Sequence, residues 1–176
     1  MSYLHHIAFI GIGSNVGNRI ENIRKAVSSI SENKEVELIS ASSVYESLPF
    51  GNHNQKNFFN AVIKLKTSLT HYELFDFLKK LELKLGRISR EHWGPREIDL
   101  DILLFDDLIL SDDVLTLPHK GMHVRDFVLL PLAEIDKSVV HPVLKISVNE
   151  LLNQVKDRTI ISKIDEKILL REEEIG

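Results

Sequence analysis

Residues 98–105 read IDLDILLF, a buried strand except for the carboxylates at Asp99 and Asp101. What precedes it is a helix. In SLTHYELFDFLKKLELKLG (68–86), Thr70 followed by Glu73 forms a capping box. Leu74, Phe77, Leu78, Leu81 and Leu85 make an apolar stripe, and Gly86 stands at the C-terminal cap. Before that helix, FFNAVIKLKT (58–67) alternates like a half-buried strand, and VELISASSVYES (36–47) is rich in strand formers. The LPFGNHNQKN loop (48–57) between them is long for a hairpin. Further upstream, Ile20, Ile23, Val27 and Ile30 predict an amphipathic helix over 18–31, and IAFIGIG (7–13) predicts a first strand. The order is therefore β-α-β-β-α-β, the split βαβ arrangement: an α+β antiparallel sheet flanked by helices in a single domain. After Phe105, DDLIL is expected to pair back on the acidic strand, VLLPLAEI (128–135) is a short helix or turn, and the tail after Asn149 reads as helical. The core spans about 5–150 and the tail 149–176 of one 1–176 domain.

The 176 residues are 43% hydrophobic and 27% charged, as in a soluble globular protein. A net charge of -4 argues against duplex nucleic acid as a partner. The absence of cysteine excludes disulfides, thiolate metal sites and cysteine nucleophiles. The amino terminus does not read as a signal peptide, and no apolar run of about 20 residues appears. The cytoplasm is the expected location.

Asp99 and Asp101, two apart on a strand, leave the same face, while Leu100 and Ile102 bury on the other. An isolated buried carboxylate is too costly to leave unpaired. Such a pair suits a hard cation such as Mg²⁺, and two such ions would clamp a polyphosphate. The competing reading is a solvated edge strand salt-bridged to Arg96 or Arg87. The preceding loop favours the first, because it delivers Arg87, Arg90, His92 and Arg96 beside the acids, and Trp93 offers a flat face for a heterocycle or, alternatively, a core anchor. GIGSNVGNR (11–19) does not fit the dinucleotide fingerprint, since its third glycine is one residue too far. Its glycines suit a tight turn beside a ligand or a neighbouring strand. His119 and His123 are four apart, but Pro118 and Gly121 oppose a helix there, so zinc is not favoured. His119 and Arg125 fit phosphate contacts better, and Asn60 fits a heterocycle edge or ordinary strand-end polarity. His5, His6, His53, His71 and His141 read as surface residues.

These motifs together resemble the 6-hydroxymethyl-7,8-dihydropterin pyrophosphokinase family of folate biosynthesis. The likeness runs from IGIGSNVGNR through FFNAV, LELKLGR, WGPREIDLDILLF and LTLPH to RDFVLLPLAEI and HPVL. It implies a ferredoxin-like fold and transfer of the β,γ-diphosphate of ATP to the pterin hydroxymethyl group, releasing AMP. It implies two Mg²⁺ ions held by Asp99 and Asp101, with Asp99 also positioning the attacking hydroxyl and Arg87 and Arg96 serving the transfer. Glu82, Arg87, Trp93, Arg96, Ile102, Thr116, His119 and Arg125 match positions around ATP. Ser47, Leu48, Phe50, Phe58, Asn60, Trp93, Asp99 and Phe127 match positions around the pterin. Ser89, His92 and Lys120 depart from residues common in the family.

Two other readings remain open: a different magnesium-dependent nucleotidyl or phosphoryl transferase, and a non-catalytic βαββαβ module binding RNA on its sheet. The acidic strand opposes the second. A monomer without membrane partners is expected, with a dimer as the alternative.

Overall fold

The computed structural model describes residues 5–51, 53–88 and 93–169. Strand β1 (His6–Ser14) lies at the centre of the sheet between β4 (Phe58–Thr67) and β5 (Asp99–Phe105), antiparallel to both. The outer half of the sheet is β2 (Val36–Ala41) and β3 (Val44–Ser47), which pair with successive parts of β4. The order β5-β1-β4-β2/β3 with every pair antiparallel is the ferredoxin-like arrangement. Helices α1 (Arg19–Ser31) and α2 (His71–Lys84) cover one face, with Ile23, Ile30, Leu74 and Leu78 fully buried against Ile10, Ile63 and Leu100. Helices α3 (Asp126–Asp136) and α4 (Val148–Gln154) cover the other through Leu129, Leu132, Val148 and Leu151.

The helix ends follow their capping chemistry. The Asn18 side chain accepts from Glu21 N–H, and the Thr70 hydroxyl accepts from Glu73 N–H. At the far end of α2, Gly86 (φ 96°) donates to Leu83 O and Arg87 N–H to Glu82 O. This pair of bonds is a Schellman cap, and it folds Arg87 back beside the last turn of α2.

Four expectations need correction. The 36–47 stretch is two strands, because at Ser42 the side chain enters the ladder: its hydroxyl accepts from Val62 N–H. The 106–110 segment does not pair with β5. Asp106 turns away at φ 47°, and its carboxylate accepts from Ile7 N–H. A two-residue strand β6 (Leu110–Ser111) then pairs with β7 (Thr116–Leu117). The tail is helical only as far as Gln154; Ile160–Ile164 forms strand β8, which adds to the sheet beside β3. His141 is buried, its ring Nδ1 accepting from Val143 and Leu144 N–H, so it is no surface residue.

Candidate active site

A cavity of about 580 Å³ opens on the α3 face of the sheet. Its floor is set by strand register. Gly13 lies between Asp99 and Asn60, and Gly11 between Asp101 and Val62, in two cross-strand rows. A Cβ on Gly13 would stand 3.4 Å from Asn60 Oδ1, and one on Gly11 3.2 Å from a Leu103 methyl. The two glycines of GIG therefore keep the floor low between the acids and Asn60. They lie within β1, while Gly17 takes the turn that follows at φ 73°.

One end of the cavity is aromatic. Phe58 starts β4, Phe127 stands in the first turn of α3, and Phe50 approaches Phe127 to 6.0 Å and Trp93 to 5.3 Å between ring centroids. Asn60 is buried and donates to Ser47 Oγ at 2.7 Å, which fixes its amide at this end. Leu48 lines the same end, its N–H held by Thr159 O just before β8. Buried Asp126 accepts from the N–H groups of Thr159 (2.7 Å) and Ile160 (3.0 Å), locking the tail to the start of α3.

The other end is charged. A bulge in β5 opposite Phe9 and Ile10 shifts the register at Leu103. Leu103 O accepts from His119 N–H at 2.9 Å, which brings His119 beside Asp101. Arg96 Nη1 donates to Asp99 Oδ2 at 2.9 Å, and Arg87 Nη2 stands 3.7 Å from Asp99 Oδ1. Arg125 spreads over the Phe50 ring at 4.8 Å and reaches Trp93 at 5.5 Å. Gly121 makes room for it, since a Cβ there would fall 2.7 Å from the guanidinium carbon.

Lys79 was not among the residues singled out in the sequence. Its Nζ donates to Leu100 O (2.9 Å), Glu82 Oε1 (3.0 Å) and Asp101 Oδ1 (3.3 Å). Glu82 Oε1 in turn accepts from Leu100 N–H at 2.7 Å. Both backbone groups of the residue between the two acids are thus held by one turn of α2. β5 ends the sheet, so these side chains replace a missing neighbour strand. The spacing of Lys79 and Glu82, three apart on a helix, was visible in the sequence. What it faced was not.

The acid pair is electrostatically crowded. Burial, and after it the Asp101 carboxylate, push Asp99 up to about 7. Burial also opposes ionisation of Asp101, but Lys79 and then His119 outweigh it and hold that carboxyl below its usual value. Burial holds the His119 imidazole down. Two carboxylates facing one cavity, one of them straining to keep its proton, are a donor set that fits a hard divalent cation with phosphate or water completing its shell. Among the described residues no set of three or more His, Asp or Glu is grouped to hold a metal ion.

A pH dependence follows. Asp99 is raised above its ordinary 3.8, so its contribution to stability is present below that value and is lost as pH rises through about 7. Melting curves of the metal-free protein are expected to fall relative to Asp99→Asn between roughly pH 5 and pH 8. Mg²⁺ at the upper pH is expected to restore the wild type and not the variant. Parallel curves for the two proteins would show that Asp99 is not elevated.

Of the residues singled out in the sequence, Ser47, Leu48, Phe50, Phe58, Asn60, Trp93, Arg96, Asp99, Asp101, His119, Arg125 and Phe127 line the one cavity, as does Lys120. Glu82, Arg87, Ile102 and Thr116 stand outside its wall. Glu82 lies 2% exposed beneath β5, and the Ile102 side chain is buried in the α1–α2 layer, on the opposite face from Asp101. His123 packs edge-on against His141 at 6.1 Å, away from His119's place on the cavity wall. Ser89, Arg90 and His92 lie outside the described residues. Missed in the sequence were Lys79, Gly121, Asp126 and Asn15.

A flat aromatic slot with a fixed amide at one end, and paired acids under arginines at the other, have the chemistry to take a planar heterocycle and a polyanion. Comparison with known proteins makes the class specific. The model of the 7,8-dihydro-6-hydroxymethylpterin-pyrophosphokinase (HPPK) family matches residues 9–137. A 2-amino-4-hydroxy-6-hydroxymethyldihydropteridine pyrophosphokinase from Aquifex aeolicus is 48% identical over 77% of this chain and 83% of its own length. The protein of the same name from Haemophilus influenzae is 39% identical over 88% of this chain and 96% of its own. The wild-type HPPK-DHPS structure from Plasmodium falciparum overlays with a TM-score of 0.68 at 16% identity, over 86% of this chain. At that identity the likeness speaks for the fold, and the match spans 45% of that longer chain. The chain belongs to the HPPK family, a family of pyrophosphokinases of folate biosynthesis.

Proposed function

We propose that this chain transfers the β,γ-diphosphate of ATP to the hydroxymethyl group of 6-hydroxymethyl-7,8-dihydropterin, releasing AMP. The observation that carries the reading is the joint placement, over one sheet floor, of Asn60 in the aromatic slot and the Asp99–Asp101 pair under Arg96. The pterin lies between Phe58 and Phe127, with its polar edge at the Asn60 amide and the 47–50 backbone. Asp99, on the same floor, positions the attacking hydroxyl. Asp101 and Asp99 would hold two Mg²⁺ ions, and these would neutralise the polyphosphate charge. Arg96, Arg87, His119 and Arg125 stabilise the charge moving toward the leaving phosphate. Arg87, behind Asp99, acts through that carboxylate. Much of the acceleration comes from positioning two substrates in line, which needs no covalent adduct. The reading carries a single domain over 1–176, acting as a cytoplasmic monomer without nucleic-acid or membrane partners. No helix among the described residues is long and apolar enough to cross a membrane.

The direct test is a product assay with ATP, Mg²⁺ and the pterin. AMP formed only when all three are present supports the reading. ADP instead would indicate an ordinary kinase on the same clamp, and neither product would leave a binding protein, with single-stranded RNA the first ligand to try.

Trp93 separates two roles for an aromatic side chain. It stands at φ 66°, 37% exposed, with its ring against Gly51, where an added Cβ would come within 3.1 Å of the indole. That is the position of a cover and not of a core anchor. Trp93→Ala is expected to lower kcat/KM about tenfold or more through lost exclusion of water, with a melting shift of only about 2–3 °C. A large loss of melting temperature at unchanged turnover would make it a structural residue.

A further inference from the structure

Asn15 follows the last residue of β1 and is 1% exposed. A buried amide must find hydrogen-bond partners for both its halves. The bonds of Asn15 go to the two loops that flank the cavity. Its Oδ1 accepts from Arg96 N–H at 2.7 Å, and its own N–H donates to Arg96 O at 3.0 Å. Its Nδ2 donates to Gln55 Oε1 at 2.9 Å and to Lys56 O at 3.0 Å. Gln55 carries the connection onward, because its Nε2 donates to Trp93 O at 2.7 Å. Two amides thus join the loop before Phe58 to both ends of the Trp93–Arg96 turn.

We propose that Asn15 is a positioning residue that registers the loop beside the pterin slot against the turn carrying Trp93 and Arg96. The assignment of substrates to the two loops rests on the pyrophosphokinase reading; the mechanical link does not. The two halves of the amide do different jobs. The carbonyl oxygen fixes the Arg96 turn, and the NH₂ group fixes the 53–57 loop. Aspartate separates them. Asn15→Asp keeps an acceptor for Arg96 N–H but sets a carboxylate oxygen against Lys56 O and Gln55 Oε1. If Gln55 turned its amide over to donate to that carboxylate, its oxygen would face Trp93 O. One of its two bonds is lost in either pose.

Trp93 is the chain's single tryptophan, so its fluorescence reports the turn directly. The test compares wild type, Asn15→Asp, Asn15→Ala and Gln55→Ala, each checked for cooperative melting. Acrylamide quenching of Trp93 is expected to rise at least about twofold in all three variants, because a released turn opens more often. In the product assay, Asn15→Asp is expected to raise the pterin KM about tenfold while the ATP KM stays within about threefold; Asn15→Ala is expected to raise both. Gln55 is only half-buried, so its variant folds even if Asn15→Ala does not. Unchanged quenching in Asn15→Asp and Gln55→Ala, or equal shifts of both KM values in Asn15→Asp, would overturn the proposal. If the wild type makes no AMP, the pyrophosphokinase reading fails, and the quenching alone still decides for Asn15.

Discussion

Asp101→Ala is expected to reduce AMP formation by about 10³-fold or more while leaving the protein as stable as the wild type. The two halves of this expectation have separate causes. Asp101 faces the cavity beside Asp99, and its carboxylate is the second-largest influence pushing Asp99 up, after burial. Removing it deletes one of two metal donors and also relieves a like-charge contact. Lys79 loses one of its three acceptors but keeps Leu100 O and Glu82. No buried group is stranded, so the fold has no reason to weaken. Turnover and the melting curve should therefore part company. The check is AMP release at saturating Mg²⁺ alongside thermal unfolding. A variant with near wild-type turnover would remove Asp101 from the metal clamp. Lost activity accompanied by a melting loss of 10 °C or more, roughly 3 kcal/mol or above, would make it a fold residue instead.

What could be read in the sequence was what repeats with a period. The alternation in β4 and the stripe of α2 gave both elements to within a residue or two, because burial against one layer imposes the period. The i, i+2 spacing put both acids on one face, and the structure places them there. What stayed hidden was what depends on two elements meeting. Lys79 was passed over, because nothing in the chain says that α2 crosses β5 at Leu100. Strand β8 looked like helix because its pattern, half-buried at the ends and exposed between, carries little amphipathic signal. It exists because β3 offers an open edge and Asp126 captures Thr159 and Ile160. Asn15 carried no signal of its own, because its partners at 55, 56 and 96 are remote in sequence. The glycines of GIG fall in between. Their spacing excluded a dinucleotide loop, but their purpose emerged only from the register that sets them opposite Asp101 and Asp99.

Glu82→Leu is expected to cost stability as well as activity, unlike Asp101→Ala. Glu82 is 2% exposed, accepts from Leu100 N–H and Lys79 Nζ, and has Arg87 Nε 3.7 Å from its second oxygen. Leucine fills a similar volume but leaves Leu100 N–H without its acceptor, takes one of three acceptors from Lys79, and leaves Arg87 with Asp99. An unsatisfied buried backbone N–H costs about 1–3 kcal/mol, which for a chain of this size is a melting shift of roughly 2–12 °C. Removing the partner as well should recover part of it. In Lys79→Met/Glu82→Leu no ammonium remains beside the new leucine, so the double variant is expected to melt above Glu82→Leu alone. Its activity should not return with its stability. Leu100 would have lost both of the side chains that hold its N–H and carbonyl, and with them the fixed pleat that aims Asp99 and Asp101 into one cavity. Asp101 would also have lost its nearest cation, so the crowding between the acids would increase. Stability recovered without turnover would show that the Lys79–Glu82 pair serves the acid clamp and not only the fold. Recovery of both together would reduce the pair to a packing contact, and failure of the double variant to exceed Glu82→Leu would show that the cost lies in Leu100 N–H or Arg87 rather than in the lysine.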